Sequence, residues 1–209
     1  MSETLNCWQC GQPVAGALFC PFCNSLQRPP SDYYTLFGIP RKLQIDTEHL
    51  QRRFYDLSRQ LHPDRFTRNP EREREYSLDA SSLLNDAWRA LRDRVLRAEY
   101  LLKQEGLDIG EQRSQDVPPE LLEEVFELNM ALEEMRGGDE AARPHLATAG
   151  HNFEEMLAAV DTQLDQRFAE WDASGDREKL FEIRALLNRR RYIQNLVIQV
   201  RETLIEPRP

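Results

Sequence analysis

The chain has little of what an enzyme or a membrane protein needs. It holds only four histidines, His49, His62, His145 and His151. None belongs to an HExxH pattern, and there is no glycine-rich phosphate loop or GxSxG elbow, so the usual hydrolytic and nucleotide-handling motifs are excluded. No apolar run approaches the ~20 residues that a bilayer span requires. The start, Met1-Ser2-Glu3, has neither the basic and apolar stretches of a secretory signal nor the basic amphipathic character of a transit peptide, and the expected location is cytoplasmic. Excess positive charge is missing too. Lys and Arg number 27 against 36 Asp and Glu, a net of −9, which argues against nucleic acid or an anionic membrane as partner. No internal repeat and no low-complexity tract interrupts the 209 residues, which suit one or two small domains.

Cysteine is absent beyond position 23, so disulfides cannot staple the chain as a whole. The four that exist form the pattern Cys7-x-x-Cys10 and Cys20-x-x-Cys23. Zinc favours four thiolates in a tetrahedron, and two short chelating loops supply them with little closure entropy. The segment has too few apolar residues to fold unaided, so a metal would supply much of its folding free energy. The alternative is a pair of free or redox-active CxxC units, but no thioredoxin-like strand and helix surround either pair. A four-cysteine site has no open coordination position, so the expected Zn2+ is structural.

The rest of the chain reads as helices. Residues 1–27 form the cysteine module, and Arg28-Pro29-Pro30 is a short stiff linker that would separate its core from the helical region. In residues 28–106, Ser31 or Asp32 caps a short helix ending near Gly38 and Pro40, and Asp46 or Thr47 caps a second that runs to Leu61. Its apolar residues Leu50, Phe54, Leu57 and Leu61 line one face. A third helix covers Glu71–Leu91 with Leu84, Ala87, Trp88 and Leu91 on one side. A fourth covers Val95–Glu105 and presents Leu96, Tyr100 and Leu101. Residues 107–117 are a polar connecting loop. Within 118–209, helices are expected from Pro119 to Arg136, from Pro144 to Trp171 and from Asp176 to Ile205, with a turn at Asp172–Gly175. Three long helices on short turns imply an antiparallel three-helix bundle. Charge divides along the chain: residues 28–105 hold 15 basic and 13 acidic side chains, whereas 118–172 hold three basic and 14 acidic.

His62-Pro63-Asp64 closes the second helix. Pro63 has no N–H and disfavours the α region at His62, so the helix stops and the two polar side chains project from a rigid turn. A bare helix-ending turn with no partner is the plain alternative. Around the tripeptide stand "DYYTLFGIP", "LHPDRF", "NDAWRALRD" and "RAEYLL", running from Asp32 to Leu102. This set closely resembles the HscB class of J-domain co-chaperones of iron–sulfur cluster assembly, over about residues 31–205. "RAEYLL" is the more specific element, because generic J-domains lack it. The cysteine module resembles the zinc-binding extension of some members. Arg94 departs from the pattern, standing at the third corner where many relatives have proline.

The resemblance implies a mainly α fold: a J-domain helical hairpin, a C-terminal three-helix bundle and a small zinc-ribbon-like module. It also implies that His62, Pro63 and Asp64 contact an ATP-driven chaperone of the HscA/DnaK class and promote its ATP hydrolysis by population shift, with no chemistry by this chain. Arg52, Arg53, Arg59 and Arg65 form a basic surface suited to an acidic chaperone patch, although arginines on a helix are commonly just solvated. The helix from Pro119 to Arg136 carries two apolar stripes, Leu121-Val125-Leu128-Leu132 and Leu122-Phe126-Met130. Periodicity leaves open whether the second is buried or docks a partner. By the resemblance it binds an IscU-type scaffold through Leu122, Phe126, Glu127, Met130 and Glu134, with Tyr192 from the last helix. A zinc-ribbon nucleic-acid regulator and a general J-protein for unfolded clients are the competing functions; monomer and homodimer both remain open.

Overall fold

The computed structural model describes residues 6–107 and 121–205. The chain divides into two compact units, Met1–Tyr100 and Leu101–Pro209. Among the described residues the structure is helical, with two isolated β-bridges and no longer strand.

In the first unit, α1 (Tyr33–Phe37) is capped by Asp32, whose carboxylate accepts the Thr35 N–H at 2.8 Å. Gly38 ends it at φ 63°, a left-handed position that favours glycine. Helix α2 (Thr47–Leu61) starts on Asp46, which accepts the His49 N–H at 2.9 Å. It packs against α3 (Glu71–Arg92) by burying Leu50, Leu57 and Leu61 opposite Ala80, Leu84, Ala87 and Leu91. Phe54 and Trp88, both half-buried, stack with ring centroids 4.9 Å apart.

Between these helices Pro63–Phe66 forms a 3-10 turn. With α2 stopped by Pro63, the carbonyl of the fully buried Leu61 needs donors, and α3 supplies them: Ser77 Oγ at 2.6 Å and Ser81 Oγ at 3.1 Å. Two hydroxyls one helical turn apart on one carbonyl set the register of α3 against the end of α2.

Helix α4 (Arg94–Gln104) follows α3 after one residue. Asp93 caps it, accepting the N–H groups of Val95 and Leu96 at 2.8 and 2.9 Å, so the corner at Arg94 is made without proline. Arg97, 5% exposed, donates to the carbonyls of Leu43 at 2.7 Å and Leu91 at 2.6 Å. Tyr100 Oη accepts the Tyr33 N–H at 2.9 Å, donates to Asp32 at 3.0 Å, and its ring stacks on Tyr33. These contacts account for two residues of the "RAEYLL" element. Of the three residues expected on one face, Leu101 is buried, Tyr100 half-buried and Leu96 exposed; Arg97 and Ala98 are buried as well.

The second unit contains α5 (Leu122–Gly137), a short 3-10 turn at Glu140–Ala142, α6 (Arg143–Ser174) and α7 (Arg177–Ile205). They form the expected three-helix bundle. Helix α6 runs three residues past the expected end at Trp171, because Gly175, at φ 66°, supplies the left-handed stop only there. The helix start at Pro118 and Pro119 and the expected loop at 107–117, apart from the buried Leu107, lie outside the described residues. Leu128, Leu146, Phe153, Leu164, Phe168, Ile183 and Ile193 centre the core. A Cβ on Gly150 would stand 2.9 Å from Val200 Cγ1, so α6 and α7 approach closely there.

Tyr100→Phe removes both hydrogen bonds to the α1 entry and is expected to cost about 1–2 kcal/mol. Burial pushes the Tyr100 phenol up, opposed by the Tyr33 N–H bond and reinforced by the Asp32 carboxylate, to about 12. A phenol raised above its unfolded value of about 10 adds stability that is complete below that pH and lost as pH rises through 12. Urea midpoints of the parent should therefore fall over that interval more steeply than those of the variant. Parallel pH curves would refute the assignment.

Candidate functional site

The cysteine module is built from two loops of one design. Gly11 N–H donates to the Cys7 carbonyl and Asn24 N–H to the Cys20 carbonyl, each at 2.9 Å. Both donors have positive φ, 73° and 58°, which glycine and asparagine tolerate. Cys7 N–H reaches the Gln12 carbonyl and Cys20 N–H the Ser25 carbonyl, while bridges pair Asn6 with Pro13 and Phe19 with Leu26. Every one of these pairs recurs 13 residues later, an internal repeat that the sequence conceals because few residues besides cysteine match.

The four sulfurs converge, all within 4.8 Å of one another, with Cys7–Cys23 at 3.7 Å and Cys10–Cys20 at 3.6 Å. Thiolates about 2.3 Å from a central zinc ion stand about 3.8 Å apart at the corners of a tetrahedron. The donor set therefore fits a metal ion of that kind, and the cysteines are free thiols. Cys7 and Cys20 are buried; Cys10 and Cys23 are exposed. Burial pushes the Cys7 thiol up, but the Ser25 hydroxyl, the N–H groups of Cys10 and Gln9 and the Cys23 sulfur outweigh it and hold it at about 5. The Ser25 hydroxyl and N–H likewise hold Cys23 low. At Cys10 the Gln12 N–H favours the thiolate, but burial and the neighbouring sulfurs prevail and drive it up to about 12. Four adjacent thiolates need a cation among them. Cys7, Cys10, Cys20 and Cys23 can together hold one metal ion.

The module does not stand apart from the helices. The sequence suggests that the Arg28–Pro30 linker keeps the cores separate, and the module has its own buried cluster of Cys7, Val14 and Cys20, but it is tied to α3: Leu26 N–H donates to Glu73 Oε1 at 2.9 Å, and Arg72 lies over the Trp8 ring at 5.4 Å. Neither contact is announced by the sequence, where acidic and basic residues in a helix read as solvated.

At the end of α2, the side chains of His62 and Asp64 are 59% and 87% exposed. The Asp64 N–H donates to His62 Nδ1 at 3.3 Å. The flanking arginines differ in freedom. Arg52 pairs with Glu48 at 3.7 Å and Arg59 with Asp56 at 2.5 Å, both exposed. Arg53 donates to the Phe37 carbonyl at 3.1 Å, holding the end of α1, and Arg65 reaches back to the Arg59 carbonyl at 3.4 Å. The surface is less basic than the arginine count suggests, because Glu48 and Asp56 are interleaved.

On α5 the two stripes separate by burial. Leu121, Val125, Leu128 and Leu132 are buried, whereas Leu122, Phe126 and Met130 are 56%, 65% and 49% exposed. Glu127 and Glu134 are exposed beside them. Met130, Glu127 and Glu134 also line a groove of about 370 Å³ between α5 and α6, together with Glu124, His145 and Ala149. Tyr192 is half-buried on α7, which raises its phenol, and it does not line this groove. No helix of the described residues is long and apolar enough to cross a membrane.

Residues 32–100 match the DnaJ domain, and residues 117–201 match the HSCB C-terminal oligomerisation domain. A human relative, "Iron-sulfur cluster co-chaperone protein HscB", is 30% identical over 197 residues, covering 91% of this chain and 79% of the relative. The crystal structure of human co-chaperone protein HscB superposes with a TM-score of 0.68 at 29% identity, covering 96% of this chain and 99% of the other. Chaperone HscB from Vibrio cholerae gives 0.57 at 26% identity, covering 82% and 96%. The exposed His-Pro-Asp turn, the bundle behind it in sequence and these matches together make the chain a member of the HscB family of J-domain co-chaperones of iron–sulfur cluster assembly.

Proposed function

We propose that this protein stimulates ATP hydrolysis by an HscA/DnaK-class chaperone and delivers to it an IscU-type scaffold carrying a nascent iron–sulfur cluster. The observation that carries this reading is the exposed His62-Pro63-Asp64 turn, whose polar groups point to solvent while its backbone is held by α3. His62, Pro63 and Asp64 make the chaperone contact. Arg52, Arg59 and Arg65 steer the encounter, and Arg53 positions α1 beside them. The protein binds the hydrolysis-competent state of the chaperone better than its alternative, and so favours it without doing chemistry. The exposed Leu122, Phe126 and Met130, flanked by Glu127 and Glu134 and joined by Tyr192, receive the scaffold. An uncovered apolar row on a helix whose opposite row is buried supports this assignment. The divisions at 28–106 and 118–209 follow these two tasks. Zinc held by Cys7, Cys10, Cys20 and Cys23 is structural, and the protein works in the cytoplasm.

Chaperone ATPase, measured with this protein, with the scaffold and with both, tests the reading; synergy is expected. His62→Gln should abolish stimulation while shifting stability by only about half a kcal/mol, as for other exposed positions. Stimulation by the variant equal to that of the parent would end the J-domain assignment. Equal binding of unrelated denatured proteins would favour the general J-protein instead.

Phe126→Ala with Met130→Ala should weaken scaffold binding about tenfold or more while stimulation by the protein alone persists. Buried side chains of this size cost about 2–5 kcal/mol when truncated, whereas these exposed ones should leave the melting temperature nearly unchanged. Undiminished affinity in the folded double variant would move the docking face elsewhere.

Metal analysis of protein purified under reducing conditions, without chelator, should find one zinc per chain, and Cys20→Ser should release it. Absence of zinc would overturn the zinc assignment, and an iron–sulfur chromophore would replace it.

A further inference from the structure

Glu73 is a buried carboxylate with no part in the surfaces described above. It stands in the first turn of α3 and is 4% exposed. Burying a carboxylate costs several kcal/mol unless its oxygens find donors. Here the two oxygens are divided between two different parts of the unit. Oε1 accepts the backbone N–H of Leu26 at 2.9 Å, and Oε2 accepts the side-chain amide of Asn69.

Each donor leads directly to a functional element. Leu26 follows Ser25, whose hydroxyl lies 3.3 Å from Cys7 Sγ and 3.1 Å from Cys23 Sγ. The Leu26 carbonyl accepts Trp8 Nε1–H at 2.7 Å, so its two peptide units are pinned on either side. Asn69 ends the segment that leaves the His62-Pro63-Asp64 turn. Its N–H donates to the Phe66 carbonyl at 2.9 Å, Phe66 is buried, and Arg65 N–H closes on the His62 carbonyl at 3.0 Å. Ser77 and Ser81 hold the entry to the turn at Leu61, and Asn69 on Glu73 holds the exit.

We infer that Glu73 is a positioning residue that braces the exit of the His62-Pro63-Asp64 turn against the cysteine cluster, so that loss of the cluster's metal loosens the turn while leaving α2 and α3 folded. The functional weight of this link rests on the chaperone reading above; its existence does not. Release of the metal frees Ser25 and Leu26, Oε1 loses its donor, and the carboxylate turns toward water and lets go of Asn69. The bonds of Ser77 and Ser81 to Leu61, of Arg53 to Phe37 and of Arg97 to Leu91 do not involve the cysteine module, and they persist.

Amide hydrogen exchange of the full-length protein, loaded with zinc and then stripped with EDTA, tests this without any chaperone. In the parent, stripping should speed exchange at the Arg65 and Asn69 amides about tenfold, the size of one lost net hydrogen bond, with little change at Leu57 and Leu84. In Asn69→Ala, which breaks only the turn side of the link, exchange at Arg65 should be fast already with zinc present, and stripping should add nothing. Glu73→Gln should behave alike, since its amide keeps one acceptor oxygen and puts a donor NH2 where the second acceptor stood. Unchanged exchange at 65–69 on stripping the parent would overturn the proposal. So would the same response to stripping in Asn69→Ala as in the parent, or a loss of protection spread evenly through α2 and α3, which would be global unfolding. Should His62→Gln still stimulate the chaperone, the functional reading would fall while these exchange results stood.

Discussion

The first unit depends on a helix that cannot continue. Pro63 halts α2 and strands the Leu61 carbonyl in an apolar setting, where an unpaired acceptor is costly. Ser77 and Ser81 of α3 meet it. The same element that ends α2 thereby chooses which residues of α3 lie opposite it, and the Leu50, Leu57 and Leu61 face meets Ala80, Leu84 and Leu91 in that register. The turn is consequently held at its backbone while the side chains of His62 and Asp64 remain exposed.

Local signals were legible. Asp32 and Asp46 are the caps that their short polar side chains suggest, and Gly38 and Gly175 end helices as left-handed residues. The two stripes of α5 are visible by spacing, but which one is covered depends on α6 and α7, and no periodicity within α5 carries that. Arg97, Glu73 and Arg53 were not legible as structural residues. Each is a charged side chain on a helix, and their partners Leu43, Leu26 and Phe37 lie 54, 47 and 16 residues away. The cysteine spacing showed a metal site, but the repeated loop geometry rests on main-chain bonds that leave almost no side-chain trace.

The charge of the second unit also looks different once folded. Residues 118–172 are strongly acidic as a segment, yet much of the acid on α6 is answered from α7. Arg190 meets Asp161 at 2.7 Å, Arg201 meets Glu154 at 2.7 Å, and Lys179 meets Glu170 at 3.1 Å. The exposed pairs contribute little stability individually. On α5, Glu123, Glu127 and Glu134 are exposed beside the uncovered apolar row.

In each cysteine loop the first sulfur is buried and the second is open to solvent. Because the loops are alike, a metal ion held by the four sulfurs would have an inner and an outer hemisphere, with Cys7 and Cys20 anchored in the fold and Cys10 and Cys23 facing water. An incoming competitor for the metal, or an oxidant, meets one sulfur of each loop first. Ligand exchange on such an ion would begin at the outer sulfurs, with each loop still tethered by its inner cysteine.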